Sequence, residues 1–198
     1  MGNVYSVASA LKFLGADPEL TSNPDVIARA RRVVLPGVGS FARAMTTLRA
    51  RSLDEAIRCS VTRDGHRLLG ICLGMQLLGT DSTEDEPTSG LDLVPLNVRH
   101  FTDATSAPVK VPHIGFARLT GLGGLKMSEG IPDSAAFYFV HSYRMTPTSR
   151  PNSVLTATAH HGTEFVAALE AGGVWGTQFH PEKSQAAGLR LLANFLRA

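Results

Sequence analysis

A strand-like segment that runs directly into a glycine-flanked cysteine constrains the fold of this chain more than any other sequence feature. Residues 67–71 form a short apolar run, and Cys72 follows at the centre of a Gly-x-Cys-x-Gly pattern formed with Gly70 and Gly74. A nucleophile on a sharp turn between a strand and a helix needs very small residues two positions away, because larger side chains would collide with neighbouring segments. The pattern therefore predicts an α/β fold that presents Cys72 as a nucleophile, with a buried structural cysteine as the alternative.

Helical and strand-like patterns alternate along the first half of the sequence, and strands dominate the second half. The first half has helical spacing at 4–14, 41–49 and 53–63, a helix opening near Pro24, and strand-like runs at 32–35 and 67–71. The second half has strand-like segments at 109–119, 136–145, 154–159, 164–170 and 173–179, followed by an amphipathic helix at 184–196. The least regular stretches are 80–90 and 102–107. We predict a single α/β domain spanning residues 1–198.

Composition excludes several other classes of protein. The 198 residues are 43% hydrophobic and 18% charged, which is typical of a compact globular chain. No apolar run approaches the length of about 20 residues that a membrane-spanning helix needs. The net charge of +2 and scattered basic residues do not favour nucleic-acid binding. Two cysteines cannot build a disulfide framework or a zinc site, so we expect a cytoplasmic protein with no metal or other cofactor.

A histidine and a glutamate near the C-terminus complete a candidate catalytic triad. His180 ends the apolar run 173–179, and Glu182 follows two residues later. In extended chain such residues point the same way, so Glu182 can hydrogen-bond the imidazole and fix its tautomer. The histidine can then act as the base for Cys72. By contrast, Cys59 lies in a helical pattern without flanking glycines, and we predict that it has no catalytic role.

A glycine-rich loop supplies candidate donors for an oxyanion hole. The segment 36–39 reads Pro-Gly-Val-Gly and follows a predicted strand, and its two glycines let backbone N–H groups face a ligand. The amide of Leu73, next to the nucleophile, is the other natural donor. Taken alone, the loop is better explained as a plain turn between a strand and a helix.

Taken together, these motifs resemble the class I (triad) glutamine amidotransferases, and more narrowly the glutaminase subunits of imidazole glycerol phosphate synthases. The matching stretches cover nearly the whole chain in order: 2–3, 35–39, 69–78, 111–115, 138–143 and 176–184. Methionine at position 75, Lys183-Ser184 and the Pro-Gly-Val-Gly loop favour the narrower group. The resemblance implies a three-layer, flavodoxin-like fold with a mixed sheet.

The resemblance also implies a mechanism and a set of site residues. Cys72 attacks the side-chain amide of glutamine, His180 transfers the proton, and Glu182 orients the histidine. Ammonia leaves, and water hydrolyses the thioester to glutamate. The oxyanion would form against the backbone of Val38, Gly39 and Leu73, and the substrate would be held by Gln76, Glu84, Ser142 and Tyr143.

In the family the ammonia passes to a partner and is not released to solvent. The resemblance implies a heterodimer with a (β/α)₈ cyclase subunit of histidine biosynthesis, and glutaminase activity that depends on that subunit. Four residues match positions near the partner surface, although ordinary structural roles explain them equally well: Asn3, Tyr138, His141 and Lys183.

The sequence departs from the family pattern at three places. Phe116-Ala117 replaces the usual Trp-Asn, which affects the expected partner surface. His160-His161-Gly162 also differs, and we interpret it as a turn and not as a metal site. Finally, the family's first apolar strand has no counterpart before Gly2, so we expect unpaired ladder groups, exposed apolar surface and marginal stability without a partner. Translation from an upstream start would explain this, and an intact mass beginning at Met1 would contradict it.

Three alternatives to the histidine-pathway enzyme stay open. The same glutaminase chemistry could serve a paralogous cyclase-like partner that amidates a surface sugar. An inactive, truncated homologue could act as a binding protein. The presence of Cys72, His180 and Glu182 opposes this alternative, and the missing first strand favours it. A stand-alone cysteine hydrolase of another substrate is disfavoured by Gln76 and the Pro-Gly-Val-Gly loop.

Overall fold

A mixed sheet of nine strands forms the framework of the protein, whose computed structural model describes residues 2–104, 108–148 and 153–198. The described strands, including a separate pair, are β1 (Arg32–Gly37), β2 (Arg67–Cys72), β3 (Asp81–Ser82), β4 (Thr88–Ser89), β5 (Leu96–His100), β6 (His113–Arg118), β7 (Ala136–His141), β8 (Tyr143–Pro147), β9 (Leu155–His161), β10 (Thr163–Ala171) and β11 (Val174–Thr177). The α-helices are α1 (Gly2–Phe13), α2 (Pro24–Arg29), α3 (Phe41–Ala50), α4 (Leu53–Val61), α5 (Leu73–Leu77) and α6 (Gln185–Arg197).

The main sheet has a parallel half and a largely antiparallel half. Its strand order is β1-β2-β11-β10-β8-β5-β3-β4, with β9 paired to β10. β1, β2 and β11 run parallel, whereas β10 is antiparallel to β11, β8 and β9. The parallel strands come from segments separated by helices, as βαβ crossovers require. This arrangement brings the end of β2 next to the end of β11, where the candidate triad lies.

Helices cover both faces of the sheet, and the alternation of side chains along β2 explains why. Leu69 and Ile71 point into a cluster with α1 and α6, while Leu68 points into a cluster with α3 and α4. The first cluster also contains Val7, Leu11, Trp175, Leu191, Leu192 and Phe195. The second also contains Phe41, Met45, Leu53, Ile57 and Met75. The predicted three-layer α/β architecture is therefore confirmed.

β6 and β7 form a two-stranded antiparallel ribbon beside the main sheet. Side chains alternate between its two faces, as expected of paired strands. Phe137 and Phe139 on the inner face are fully buried, whereas Ile114 and Phe116 are 60% and 52% exposed. The ribbon therefore presents an apolar outer face to its surroundings.

The structure refines several sequence-based boundaries. The predicted strand at 136–145 is two strands, because the extended structure is interrupted at Ser142, between β7 and β8. The stretch 80–90, predicted to be irregular, contains the two-residue strands β3 and β4, and residues 105–107 of the second irregular stretch lie outside the described residues. β5 was missed, although Leu96 and Val98 alternate with polar residues as a half-buried strand should. Within the described ranges, no helix is both long enough and apolar enough to cross a membrane.

β1 occupies an edge of the main sheet in the described part of the chain, where it pairs with β2 alone. A groove of about 460 Å³ runs along this edge between α1, α4 and the end of α6. Its lining is largely apolar and includes Val7, Leu11, Val33, Leu53 and Ile57. The sequence predicted unpaired ladder groups and exposed apolar surface for a chain without the family's first strand. Among the described residues, β1 pairs on one side only, and the groove beside it is lined largely by apolar side chains.

Candidate active site

Cys72 occupies a sharp turn between β2 and α5. Its backbone angles are φ 55° and ψ −114°, a conformation that residues other than glycine rarely adopt. A Cβ atom on Gly74 would lie 1.7 Å from the carbonyl oxygen of Leu35, and one on Gly70 would lie 2.7 Å from the carbonyl oxygen of Gly74. Both glycines are therefore required by close backbone approach, as the Gly-x-Cys-x-Gly pattern predicted.

His180 and Glu182 form a buried pair at the turn that follows β11. His180 Nδ1 and Glu182 Oε1 are 2.9 Å apart, and the side chains are 2% and 0% exposed. The backbone N–H of His180 donates to the carbonyl of Tyr138 at 2.9 Å. Because the carboxylate can only accept, it holds the proton on Nδ1 and leaves Nε2 for chemistry. Nε2 is itself buried, and besides Glu182 the described side chain that interacts with this imidazole is Cys72.

The pKa of His180 is raised to about 9 by its two acidic neighbours. Burial alone would lower the pKa, but the interactions with Cys72 and with Glu182 outweigh this effect. The imidazole is therefore protonated at neutral pH. A positive charge beside the sulfur favours the thiolate form of a cysteine, which is the nucleophilic form.

Helix α6 fixes the turn that carries the pair. Ser184 Oγ donates to the carbonyl of His180 at 2.7 Å and accepts from the N–H of Tyr138 at 3.0 Å. A Cβ atom on Gly188 would lie 1.9 Å from the carbonyl oxygen of Pro181, so the first turns of α6 pack directly on the His-Pro-Glu segment. The C-terminal helix thus positions the predicted base.

The glycine-rich loop lies beside Cys72. Gly37 is the register partner of Cys72 in the parallel pair β1–β2. Val38 and Gly39 therefore follow at the C-terminal end of these strands, where Cys72 lies. Gly39 has φ +103°, which favours glycine, and Val38 is 57% exposed. Leu73 is the first residue of α5. Leu73 directly follows Cys72, and Val38 and Gly39 follow its register partner Gly37, so the three predicted oxyanion donors lie at the same end of β1 and β2 as Cys72.

Gln76 is the most firmly held of the predicted substrate-binding residues. It is buried, and its Nε2 donates to the carbonyl of Tyr143 at 3.1 Å and to Gln178 Oε1 at 2.9 Å. These two bonds use both amide hydrogens, so Oε1 is the atom left for a ligand. An acceptor at this position suits the α-ammonium group of an amino acid.

Glu84, Ser142 and Tyr143 lie around the same end of the sheet. Glu84 Oε2 accepts from the backbone N–H of Phe41 at 2.8 Å, and its pKa is raised because burial disfavours the carboxylate. Ser142 joins β7 to β8, and Tyr143 begins β8. The backbone carbonyl of Tyr143 accepts hydrogen bonds from Gln76 and His141, so this segment is tied to the pocket by its main chain.

The predicted interface residues separate into different environments. Tyr138 lies on the ribbon with Lys183 Nζ 5.9 Å from its ring centre, a cation–π contact at the surface. The structure does not place His141 on that surface, because it is 7% exposed and its Nδ1 bonds to the carbonyl of Tyr143 at 2.7 Å. Asn3 falls in the first turn of α1, and its side chain lies outside the described residues.

Two features near the site were missed by sequence reasoning. Gln178 is fully buried, and its Nε2 lies 3.8 Å from Cys72 Sγ. An amide inside the apolar run 173–179 was the signal that could have found it. The second is a cluster of three histidines, formed when His161 stacks on His113 at 4.3 Å and His113 Nδ1 approaches His141 Nε2 at 3.2 Å.

The His160-His161-Gly162 segment and the second cysteine, Cys59, are not part of the candidate active site. His160 and His161 are the last two residues of β9, and Gly162, with φ +69°, makes the turn to β10. No set of three or more His, Cys, Asp or Glu side chains suited to a metal ion occurs in residues 2–104, 108–148 and 153–198. Cys59 is exposed on α4.

The fold and the site together define an α/β enzyme with a cysteine on a strand–helix turn and a buried His–Glu pair. The sequence matches the family described as "Glutamine amidotransferase class-I" over residues 1–198, and the chain belongs to that family. It is therefore an amidotransferase of the class that its motifs resemble, and that prediction is confirmed.

Relatives narrow the comparison. The chain is 45% identical to "Imidazole glycerol phosphate synthase subunit HisH" of Moorella thermoacetica over 195 residues, covering 98% of this chain and 90% of the relative. It is 43% identical to the protein of the same name from Nitratidesulfovibrio vulgaris strain DP4, covering 99% and 92%. A crystal structure of a glutamine amidotransferase shares the fold with a TM-score of 0.72 at 20% identity, over 99% of this chain and 93% of that one.

Proposed function

We propose that this protein hydrolyses glutamine to glutamate and ammonia through Cys72, His180 and Glu182. The observation that carries the proposal is the strained turn at Cys72 together with the buried His180–Glu182 pair, whose protonated imidazole interacts with the same cysteine. Membership of the amidotransferase family supports an amide as the substrate. Gln76, with a free acceptor oxygen, and the carboxylate of Glu84 suit an α-ammonium group.

The proposed reaction has two half-reactions, and the proton that His180 gives up in the first is regained in the second. The Cys72 thiolate attacks the side-chain amide carbon of glutamine, and the oxyanion is stabilised by backbone N–H groups of Val38, Gly39 and Leu73. His180 Nε2 then gives its proton to the leaving nitrogen, the C–N bond breaks, and ammonia departs. Neutral His180 next accepts a proton from water as it attacks the thioester. The thiolate leaves, glutamate is released, and the imidazolium is restored.

We also propose that the ammonia passes to a (β/α)₈ cyclase subunit and serves imidazole glycerol phosphate formation in histidine biosynthesis. Relatives at 41–45% identity carry the name of a synthase subunit, which implies a second subunit. The outer face of the β6–β7 ribbon, with Ile114 and Phe116 exposed, suits such a partner, and Tyr138 and Lys183 extend it. The carbonyl of Val140 in β7 lies 4.0 Å from Cys72 Sγ, so the ribbon itself adjoins the nucleophile.

The experiment is glutamate release by the protein alone, with a histidine-pathway cyclase, and with a paralogous sugar-modifying cyclase-like protein. We expect release that rises strongly with the histidine-pathway cyclase and is abolished in Cys72→Ala. Cys59→Ser is the matched control and should keep full activity, because Cys59 is exposed on α4.

Each alternative predicts a different result. Stimulation by the paralogous protein alone would assign the other pathway. No glutamate under any condition from folded protein would refute the enzyme and leave a binding protein.

A further inference from the structure

Gln178 is a fully buried polar residue in direct contact with the nucleophile. It follows β11, and its backbone N–H donates to the carbonyl of Ala167 at 2.8 Å. Its side-chain Nε2 donates towards Cys72 Sγ at 3.8 Å, within the range of hydrogen bonds to sulfur. Its Oε1 accepts from Gln76 Nε2 at 2.9 Å. A buried amide of this kind is costly unless its polar atoms are paired, and here both ends are paired within the site.

The direction of this hydrogen-bond chain is fixed by its far end. The carbonyl of Tyr143 can only accept, so Gln76 must present its NH₂ group there. The second hydrogen of the same NH₂ group then requires an oxygen from Gln178. Gln178 is thereby turned so that its own NH₂ group faces the sulfur of Cys72. The carbonyl of Tyr143 therefore determines that an N–H donor faces the sulfur of Cys72. This conclusion does not depend on assigning the oxygen and nitrogen of each side-chain amide separately.

We propose that Gln178 is a catalytic residue that donates an N–H to the Cys72 sulfur and links it to the substrate-binding amide of Gln76. This inference rests on the proposed function, which it deepens. A donor aimed at sulfur stabilises the thiolate relative to the thiol, and it adds to the charge of His180. The link to Gln76 means that the groups holding substrate also hold the nucleophile in place.

Two substitutions separate these roles. Gln178→Glu has the same shape and keeps the oxygen that accepts from Gln76, but it loses the donor on sulfur. Gln178→Met is similar in length and removes both hydrogen bonds. Asn194→Leu is the matched control: its buried amide donates to the carbonyls of Met127 and Glu129 at 2.9 and 2.8 Å, and neither of these partners belongs to the triad.

The first measurement is the rate of Cys72 alkylation by iodoacetamide as a function of pH, with each cysteine followed by peptide mass spectrometry. We expect the pH of half-maximal rate to rise by about one unit in Gln178→Glu and Gln178→Met, because the thiolate loses a donor. Asn194→Leu should leave it unchanged, and Cys59 should behave alike in all proteins. An unchanged profile in a folded Gln178 variant would overturn the proposal.

The second measurement is glutamate release with the cyclase present. We expect kcat to fall roughly 10- to 100-fold in Gln178→Glu with KM nearly unchanged, the size expected for a hydrogen bond to a charged group. Gln178→Met should also raise KM, because Gln76 loses its partner. Since alkylation needs no glutamine, a protein without glutaminase activity would refute the proposed function and still leave the alkylation result to decide this inference.

A third measurement needs no variant that might unfold. In the unmodified protein, the side-chain amide signals of Gln178 in ¹⁵N NMR spectra should shift with the same pH midpoint as Cys72 alkylation. They should stop shifting once Cys72 is alkylated. Gln178 amide chemical shifts that do not change as Cys72 ionises would overturn the proposal.

Discussion

At the scale of single residues, the charge on His180 depends on Glu182. The carboxylate accepts from Nδ1 at 2.9 Å, and together with Cys72 it raises the pKa of His180 to about 9. In Glu182→Gln this pKa should fall towards its ordinary value, so the imidazolium that protonates the leaving group is lost at lower pH. We expect glutamate release with the cyclase to drop roughly 10²- to 10⁴-fold, and the alkaline limb of its pH profile to move to lower pH.

The control for this substitution is Glu164→Gln, which makes the same chemical change at an exposed position on β10. It should leave the rate and the profile as they are. A Glu182→Gln enzyme with an unshifted alkaline limb would show that the carboxylate does not set the charge of His180.

At this scale, local sequence patterns were enough to select the candidate site residues whose close approach or alignment the structure shows. Cys72 was recognisable because only glycine tolerates the approach of Leu35 and of the next helical turn. His180 and Glu182 were recognisable because two-residue spacing in extended chain aligns side chains. Gln178 was missed, because its partners lie about a hundred residues away in sequence and no local pattern reports them.

At the scale of elements, a cluster of histidines and phenylalanines joins the β6–β7 ribbon to β9 and β10. His113, His141 and His161 come from three strands and pack around Phe101 and Phe165. Burial first, and then repulsion from His161, lowers the pKa of His113 to about 4. Burial likewise lowers the pKa of His141 to about 3. Both imidazoles are therefore neutral in the folded protein at pH 7.

This cluster should make the protein sensitive to acid. The unfolded chain binds a proton at each of these histidines below about pH 6.5, whereas the folded chain does not until pH 4 or below. The free energy of unfolding should therefore fall as pH drops from 6.5 towards 4, by up to about 1.4 kcal/mol per pH unit for each histidine. His180 acts in the opposite window: its stabilising contribution is complete below pH 6.5 and is lost as pH rises through 9.

Urea unfolding between pH 7.5 and 4.5 measures this slope. His141→Gln should have a shallower slope than the unsubstituted protein, even if it is less stable at pH 7.5. His160→Gln, an exposed histidine one residue from the cluster, should keep the original slope. Equal slopes in all three proteins would exclude the cluster as the source of acid sensitivity.

At the scale of the whole molecule, the sequence predicted the layers better than the connections between strands. Periodicity reports which face of an element is buried, so the helices on both sides of β2 could be anticipated. It does not report partners that are remote in sequence: β5 pairs with β8, and β11 pairs with β2. The position of β1 at an edge likewise follows from which strands are present, and not from anything within its own residues.

That edge leads to a prediction about the protein as a whole. β1 pairs with β2 on one side, and the other side faces the apolar groove in the part of the chain that the structure describes. Alternate backbone N–H groups of β1 therefore point away from β2, and no strand among the described residues pairs with them there. β2 is paired on both sides, by β1 and β11. We call the β1 amides that point away from β2 the outward set. In the native protein, their hydrogen exchange should be roughly 100-fold faster than that of the β2 amides.

The inward set of β1 amides is the internal control, because these groups belong to the same strand and bond to β2. They should be protected to nearly the same degree as the amides of β2. Full protection of the outward set would mean that another chain segment or molecule covers the groove in solution. In that case the stability of the sheet would depend on that covering segment, and conditions that remove it should expose β1 and the apolar side chains of the groove together.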